Sequence, residues 1–270
     1  MEEKEIVLNG ITLRYYKSGA GKPVLFLHGG RQTGSTFKKG LNELSRKYHV
    51  IAPDIPGYGN SSTPPQLWSF KEYAKFFHSF LNKLKIEEVI VIGYSLGGGI
   101  AYNLASLTDK VKTLVLIDSA GIEPSKKSEL YNDRMRFLFY ATHPRYFFTF
   151  LSLVKAYFSF TARHFLNLQR IQDIRKHMNR SSSYLPIITT PTVIVWAKDD
   201  AIFPVSIAHK LNQAVKKSTL ILVEGNHDWP LYKDKEFLHL LTRCLDEPLL
   251  DSSLDLEDCF KLLNIIPKFF

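Results

Sequence analysis

Val89-Ile90-Val91-Ile92-Gly93-Tyr94-Ser95-Leu96-Gly97 decides how the rest of the chain is read. Its first four residues are β-branched and apolar, as in a strand buried on both faces. From Leu96 the apolar residues recur at the three- and four-residue spacing of a helix. A serine held in a tight turn between strand and helix is forced into strained backbone angles. Its flanking positions must therefore be small, a need that Gly93 and Gly97 meet. Such a turn presents Ser95 at the carboxyl edge of a sheet, where its hydroxyl is available as a nucleophile.

Working outward, similar apolar runs recur at Ile6 to Leu8, Ile11 to Tyr16, Val24 to Leu27, Val50 to Pro53, Leu114 to Asp118, Thr192 to Ala197 and Thr219 to Val223. Amphipathic stretches stand between them at Leu41 to Lys47, Phe70 to Leu84, Leu96 to Leu107, Val205 to Val215 and Leu231 to Cys244. This alternation predicts an α/β fold with a mostly parallel eight-stranded sheet and helices on both faces. Asn9-Gly10 between the first two runs predicts a hairpin, so the sheet is expected to begin with an antiparallel pair. Between Ile122 and Pro186 the rhythm stops, and a segment rich in Phe, Tyr and Arg has no strand-like run. It is expected to be a helical cap, 122–186, inserted into a core formed by 1–121 and 187–270. The acidic tail after Leu245 ends in Leu262, Leu263, Ile265, Ile266, Phe269 and Phe270, which predicts a docked helix at the C-terminus.

Composition narrows the class. At 270 residues, 45% hydrophobic and 23% charged, the chain is neither disordered nor a repeat scaffold. Two cysteines, Cys244 and Cys259, make neither a disulfide framework nor a zinc site, so a reducing compartment is expected. The N-terminal residues lack the apolar core of a signal peptide, and the run Tyr146 to Val154 falls short of the roughly 18 residues that span a membrane. A cytoplasmic protein without an integral membrane segment is the expectation. Of the +9 net charge, much lies in Gly121 to Leu185, where eleven Lys/Arg stand against four acids. No nucleic-acid-binding signature accompanies them, which leaves a solvated face or attraction of anionic substrates or lipid headgroups.

A serine hydroxyl becomes nucleophilic when a base takes its proton and a carboxylate orients that base. Among nine histidines, His227 is placed for this role, in the loop Glu224-Gly225-Asn226-His227-Asp228-Trp229-Pro230 after the final strand. His28 follows the third strand and reads as a structural hydrogen-bonding residue. The carboxylate should leave the same sheet edge between serine and histidine, and Asp200 in Asp199-Asp200-Ala201-Ile202-Phe203-Pro204 does so. Asp199, closer to the strand, would cap the turn, while Asp118 is the alternative acid. The resulting order of Ser95, Asp200 and His227 is nucleophile, acid, base.

With these motifs in place, the chain resembles the α/β-hydrolase fold superfamily over nearly its whole length. Leu27-His28-Gly29-Gly30 resembles the family's oxyanion loop, and Asp54-Ile55-Pro56-Gly57-Tyr58-Gly59-Asn60-Ser61 its Asp-x-Pro-Gly-x-Gly-x-Ser loop. Two departures are Asn226, inserted where many members read Gly-His, and Ala197, where many have Gly. The resemblance implies that the backbone N–H groups of Gly30 and Leu96 would form the oxyanion hole. It also implies that Ser95, in a position occupied by aspartate in relatives that open epoxides or remove halogens, directs the chemistry elsewhere. The expected activity is cleavage of carboxylic esters through an acyl-serine, on a small apolar or anionic substrate, with no metal or cofactor. The alternatives are hydrolysis of carbon–carbon bonds in dienoate ring-cleavage products and a non-catalytic ligand-binding role. Tyr94, Trp229 and the cap residues Phe137, Tyr140, Phe147 and Phe150 are the candidates for the substrate pocket.

Overall fold

A computed structural model describes residues 1–123 and 186–246, with scattered single positions between 142 and 177. The expected cap aromatics Phe137, Tyr140, Phe147 and Phe150, and the tail beyond 246, lie outside the described residues. The strands are β1 (Glu2–Leu8), β2 (Ile11–Ser18), β3 (Pro23–Leu27), β4 (His49–Pro53), β5 (Val89–Tyr94), β6 (Val111–Ile117), β7 (Thr192–Ala197) and β8 (Ser218–Val223). Helices of the described residues are α1 (Lys38–Leu44), α2 (Phe70–Lys83), α3 (Leu96–Leu107), α4 (Val205–Ala214), α5 (Trp229–Tyr232) and α6 (Asp234–Asp246). All eight strands join one sheet in the order β1-β2-β4-β3-β5-β6-β7-β8. Only the pairings of β1 with β2 and of β2 with β4 are antiparallel.

Side-chain alternation distributes the central strands over two apolar layers. Leu25, Leu27, Val91, Leu114, Leu116, Ile194 and Trp196 pack with α2, α3 and α4 through Phe77, Phe80, Ile100, Leu104, Ile207 and Leu211. Their neighbours Val24, Phe26, Ile92, Val115, Ile117, Val193 and Val195 face the other way, onto Leu41 and Leu44 of α1 and Phe237 and Leu241 of α6. Burial on both faces is why these strands read as continuous apolar runs.

At the edge of the sheet, Asn9 (φ 51°) and Gly10 (φ 75°) make the expected tight turn, both central residues having the positive φ of a type I′ hairpin. β1 begins at Glu2, four residues before its apolar part, because its charged half pairs across the hairpin in full register, Glu2 opposite Lys17 and Glu5 opposite Arg14. The Arg14 guanidinium contacts Glu3 and Glu5 on the outer strand, so the edge is lined with charge rather than left as an apolar template. The predicted final helix divides at Lys233 into a short α5 and a longer α6. Lys39 of α1 meets Asp234, the first residue of α6, at 2.7 Å. Among the described residues no helix is long and apolar enough to cross a membrane.

The helix α2 supports α3, which starts directly after the Ser95 turn. It starts at a capping box: the Ser69 side chain accepts from the Glu72 N–H, and the Glu72 carboxylate accepts from the Ser69 N–H. Ser69→Ala should therefore lower the unfolding free energy by about 1 kcal/mol in urea titrations, while Ser69→Asp should leave it nearly unchanged.

Candidate active site

Ser95 stands at φ 51° and ψ −114°, a left-handed conformation that costs a non-glycine residue energy and that surrounding contacts must hold in place. The contacts are made by the main chain. The Ser95 N–H donates to the Ile117 carbonyl at 2.9 Å, and the Ser95 carbonyl accepts from the N–H groups of Gly98 and Ala120, each at 2.9 Å. A β-carbon at position 93 would lie 2.5 Å from the Gly97 carbonyl oxygen, and one at 97 would lie 2.1 Å from that of Leu27. Glycine at both positions is thus a steric requirement of the turn.

Two loops bring the other groups to Ser95. The Ser95 hydroxyl lies 2.9 Å from Nε2 of His227, whose Nδ1 lies 2.7 Å from Oδ2 of Asp200. The other oxygen of Asp200 accepts the N–H groups of Ile202 and Phe203, both at 2.8 Å, so that this carboxylate receives three donors. Burial opposes charge on the His227 imidazole. The carboxylates of Asp200, Asp118 and Asp228 outweigh it and hold the His227 pKa above the ordinary histidine value. Of the three acids considered from sequence, Asp200 is the one that bonds the imidazole. Asp199 is exposed, and its N–H donates to the Gly225 carbonyl. Asp118 is fully buried close by, its oxygens accepting the N–H of Ala197 and the indole N–H of Trp229, each at 2.8 Å. Burial and the neighbouring Asp200 push the Asp118 carboxyl well above the usual carboxylate range.

Tyr94 and Trp229 stand elsewhere than the pocket wall expected of them. Both are about 1% exposed and belong to the apolar layer under the histidine loop. The reason is the alternation of β5: Ser95 leaves the strand end upward while Tyr94 points into the layer shared with α1 and α6. From there the Tyr94 hydroxyl donates to the His227 carbonyl at 2.8 Å, and its ring stacks on the imidazole at 5.5 Å between centroids. The inserted Asn226 is absorbed by a local turn in which its side chain accepts from the Asp228 N–H at 3.0 Å, and Gly225 takes φ 133°.

The loop after β3 is shaped by His28. Ile55 N–H donates to His28 Nε2 at 2.9 Å, so the proton sits on Nδ1, which donates to the Gly29 carbonyl at 2.7 Å. Gln32, not singled out in the sequence, accepts the Gly29 N–H at 3.0 Å; a polar side chain three residues after a buried glycine was its only signal. Asp54 accepts from Gly34 N–H and Asn60 N–H, each at 2.7 Å, and so fixes the next loop. The N–H groups of Gly30 and Leu96 make no hydrogen bond to the described residues. Among those residues, Asp118, Asp200 and His227 alone place three ligand-type groups within 4.8 Å, and every one of these groups is already engaged by the hydrogen bonds above.

A family model for the α/β-hydrolase fold matches residues 22–159. The AB hydrolase superfamily protein YisY of Bacillus subtilis is 27% identical over 263 residues, covering 86% of this chain and 94% of that protein. The 2-hydroxy-6-oxo-6-(2'-aminophenyl)hexa-2,4-dienoic acid hydrolase of Metapseudomonas resinovorans is 23% identical over 252 residues, 87% of each chain. Among solved structures, a membrane phospholipase A superposes with a TM-score of 0.75 at 23% identity, over 93% of this chain and 87% of that one.

Burial leaves His28 with a pKa of about 4, only partly countered by its bond to the Gly29 carbonyl. A histidine that protonates near 6.5 when unfolded and near 4 when folded takes up protons on unfolding between those values, so stability falls as pH drops through that window. Urea unfolding should show a loss of up to about 3 kcal/mol from this group between pH 7 and pH 4, and the decline should be shallower in His28→Gln.

Proposed function

The chain belongs to the α/β-hydrolase fold family, and on that premise we propose that it is a serine hydrolase cleaving small carboxylic esters, with Ser95 as nucleophile, His227 as base and Asp200 as acid. The observation that carries the reading is the continuous chain of hydrogen bonds from the Ser95 hydroxyl through His227 to Asp200, at 2.9 and 2.7 Å. In the proposed reaction His227 Nε2 takes the hydroxyl proton as Ser95 Oγ attacks the ester carbonyl. The imidazolium is stabilised by Asp200 and then protonates the departing alkoxide. Water, deprotonated by the same imidazole, attacks the acyl-serine and releases the acid. The N–H groups of Leu96, at the start of α3, and Gly30, which bond none of the described residues, are the proposed donors to the oxyanion. Segment 122–186 is the proposed cap over the site, and the low cysteine content supports a reducing, cytoplasmic setting.

One observation favours a second reading. The dienoic acid hydrolase matches over 87% of both chains, and the basic residues of the segment 121–185 suit an anionic substrate. Carbon–carbon cleavage by the same three residues is therefore the alternative chemistry.

Short-chain p-nitrophenyl esters distinguish the two. Wild-type turnover with loss of at least about 10⁴-fold in Ser95→Ala supports the esterase, whereas turnover confined to a dienoate supports the alternative. A fluorophosphonate probe should label the wild-type protein and leave Ser95→Ala unlabelled. Asp200→Asn should lose about 10⁴-fold in kcat if its carboxylate sets the imidazole tautomer.

Because the base must be neutral, kcat/KM should rise with pH through an apparent pKa above the ordinary histidine value, in line with the raised pKa of His227. A profile level between pH 5 and 9 would contradict this assignment.

A further inference from the structure

The end of β6 touches all three loops that carry the proposed catalytic groups. Its last residue, Ile117, accepts the Ser95 N–H at 2.9 Å, and Ala120 just beyond donates to the Ser95 carbonyl at 2.9 Å. Between them Asp118 reaches the other two. Its Oδ1 accepts the N–H of Ala197, where β7 turns toward Asp200, at 2.8 Å. Its Oδ2 accepts the indole N–H of Trp229, two residues after His227, at 2.8 Å. The carboxyl is fully buried, as is the Trp229 ring, which packs edge-on against Phe237 of α6. The residue itself is held at φ 43°, with its N–H donating to the Val195 carbonyl at 3.0 Å.

We propose that Asp118 is a positioning residue, a two-armed acceptor that locks the Asp200 loop to the His227 loop and sets the imidazole against Ser95. The proposal deepens the hydrolase reading and rests on it for the kinetic part only. Oδ2 of Asp200 holds Nδ1 of His227 at 2.7 Å, a contact whose length depends on where each loop sits. Those loops come from different strands, joined at their bases by the Asp199 N–H to the Gly225 carbonyl and by the Lys198–Glu224 pair, and from β6 Asp118 bonds a further fixed point on each. The groups facing it that also bear charge are Asp200 and His227. It is not a spare acid: both of its oxygens are engaged by N–H donors, while the imidazole Nδ1 already has Asp200. An asparagine in its place offers one acceptor and one NH₂, so that one of two buried N–H donors faces another donor and loses its bond.

The test compares wild type, Asp118→Asn, Trp229→Phe, Asp200→Asn and the Asp118→Asn/Asp200→Asn double variant, each checked for folding by near-UV circular dichroism. With an activated ester, Asp118→Asn should lose about 10- to 100-fold in kcat with KM held within about twofold, as expected for a displaced catalytic group. Trp229→Phe, which removes the indole N–H bonded to Oδ2 and puts a smaller aromatic ring in its buried place, should also lower kcat. The double variant should be no slower than Asp200→Asn alone, because both changes act through the same contact. A wild-type kcat in Asp118→Asn, or losses that multiply in the double variant, would overturn the proposal.

A readout independent of turnover is the proton resonance on His227 Nδ1, assigned by its disappearance in His227→Gln. It should move upfield in Asp118→Asn and in Trp229→Phe as the bond to Asp200 lengthens, and an unmoved resonance sinks the proposal whatever the kinetics. If the resonance moves but wild type turns over neither ester nor dienoate, the hydrolase reading fails and the tether between the loops stands.

Discussion

The structure depends on a main chain that reverses direction at Ser95 in a conformation that L-residues avoid. Such a bend persists only if the alternatives are worse, and the surroundings make them so. Strand β5 feeds the turn from a layer buried on both faces, α3 leaves it with Gly97 pressed against the Leu27 and His28 carbonyls, and β6 and the residues just beyond it bond both polar groups of the bent residue. Relaxing the bend would break these bonds and withdraw the first turn of α3 from the sheet. The energy stored in one residue is thereby balanced by packing spread over three strands and a helix.

Asp200 and His227 meet Ser95 through a different kind of constraint. A carboxylate and an imidazole taken out of water are unfavourable neighbours unless every lone pair and proton is assigned. The Asp200 loop turns its own backbone N–H groups onto Oδ1, leaving Oδ2 for the histidine. Aromatic rings of Tyr94 and Phe203 lie near the imidazole, at 5.5 Å between centroids in each case, and restrict its tilt. In such surroundings the positive charge that arises on the imidazole during a proton transfer meets carboxylates already in position.

Much of this was readable from the chain. Strands of the two-faced layer announce themselves as apolar runs, and the elbow announces itself because steric exclusion leaves glycine as the only tenant of positions 93 and 97. The histidine and its acid could be placed because both follow strands that end at the same edge. What escaped was set by direction rather than type. A tyrosine beside the serine looks like a pocket residue until the two-residue period of β5 turns it into the layer below. Trp229 looks the same until its indole finds Asp118. The polar half of β1 has no apolar signature because its partners are charges across a hairpin, not an apolar face. Gln32 offers no pattern at all, since its value lies in one hydrogen bond to a neighbouring loop glycine.

The elbow is built without help from the side chain it presents. Among the described residues, the bonds that fix the bend run through the amide and carbonyl of Ser95, and the hydroxyl bonds the imidazole. The bend is a socket held by the main chain, so a change in the short side chain fitted there leaves those bonds in place. Innovation in chemistry and conservation of architecture are separated, at this one residue, by the bond between its α- and β-carbons.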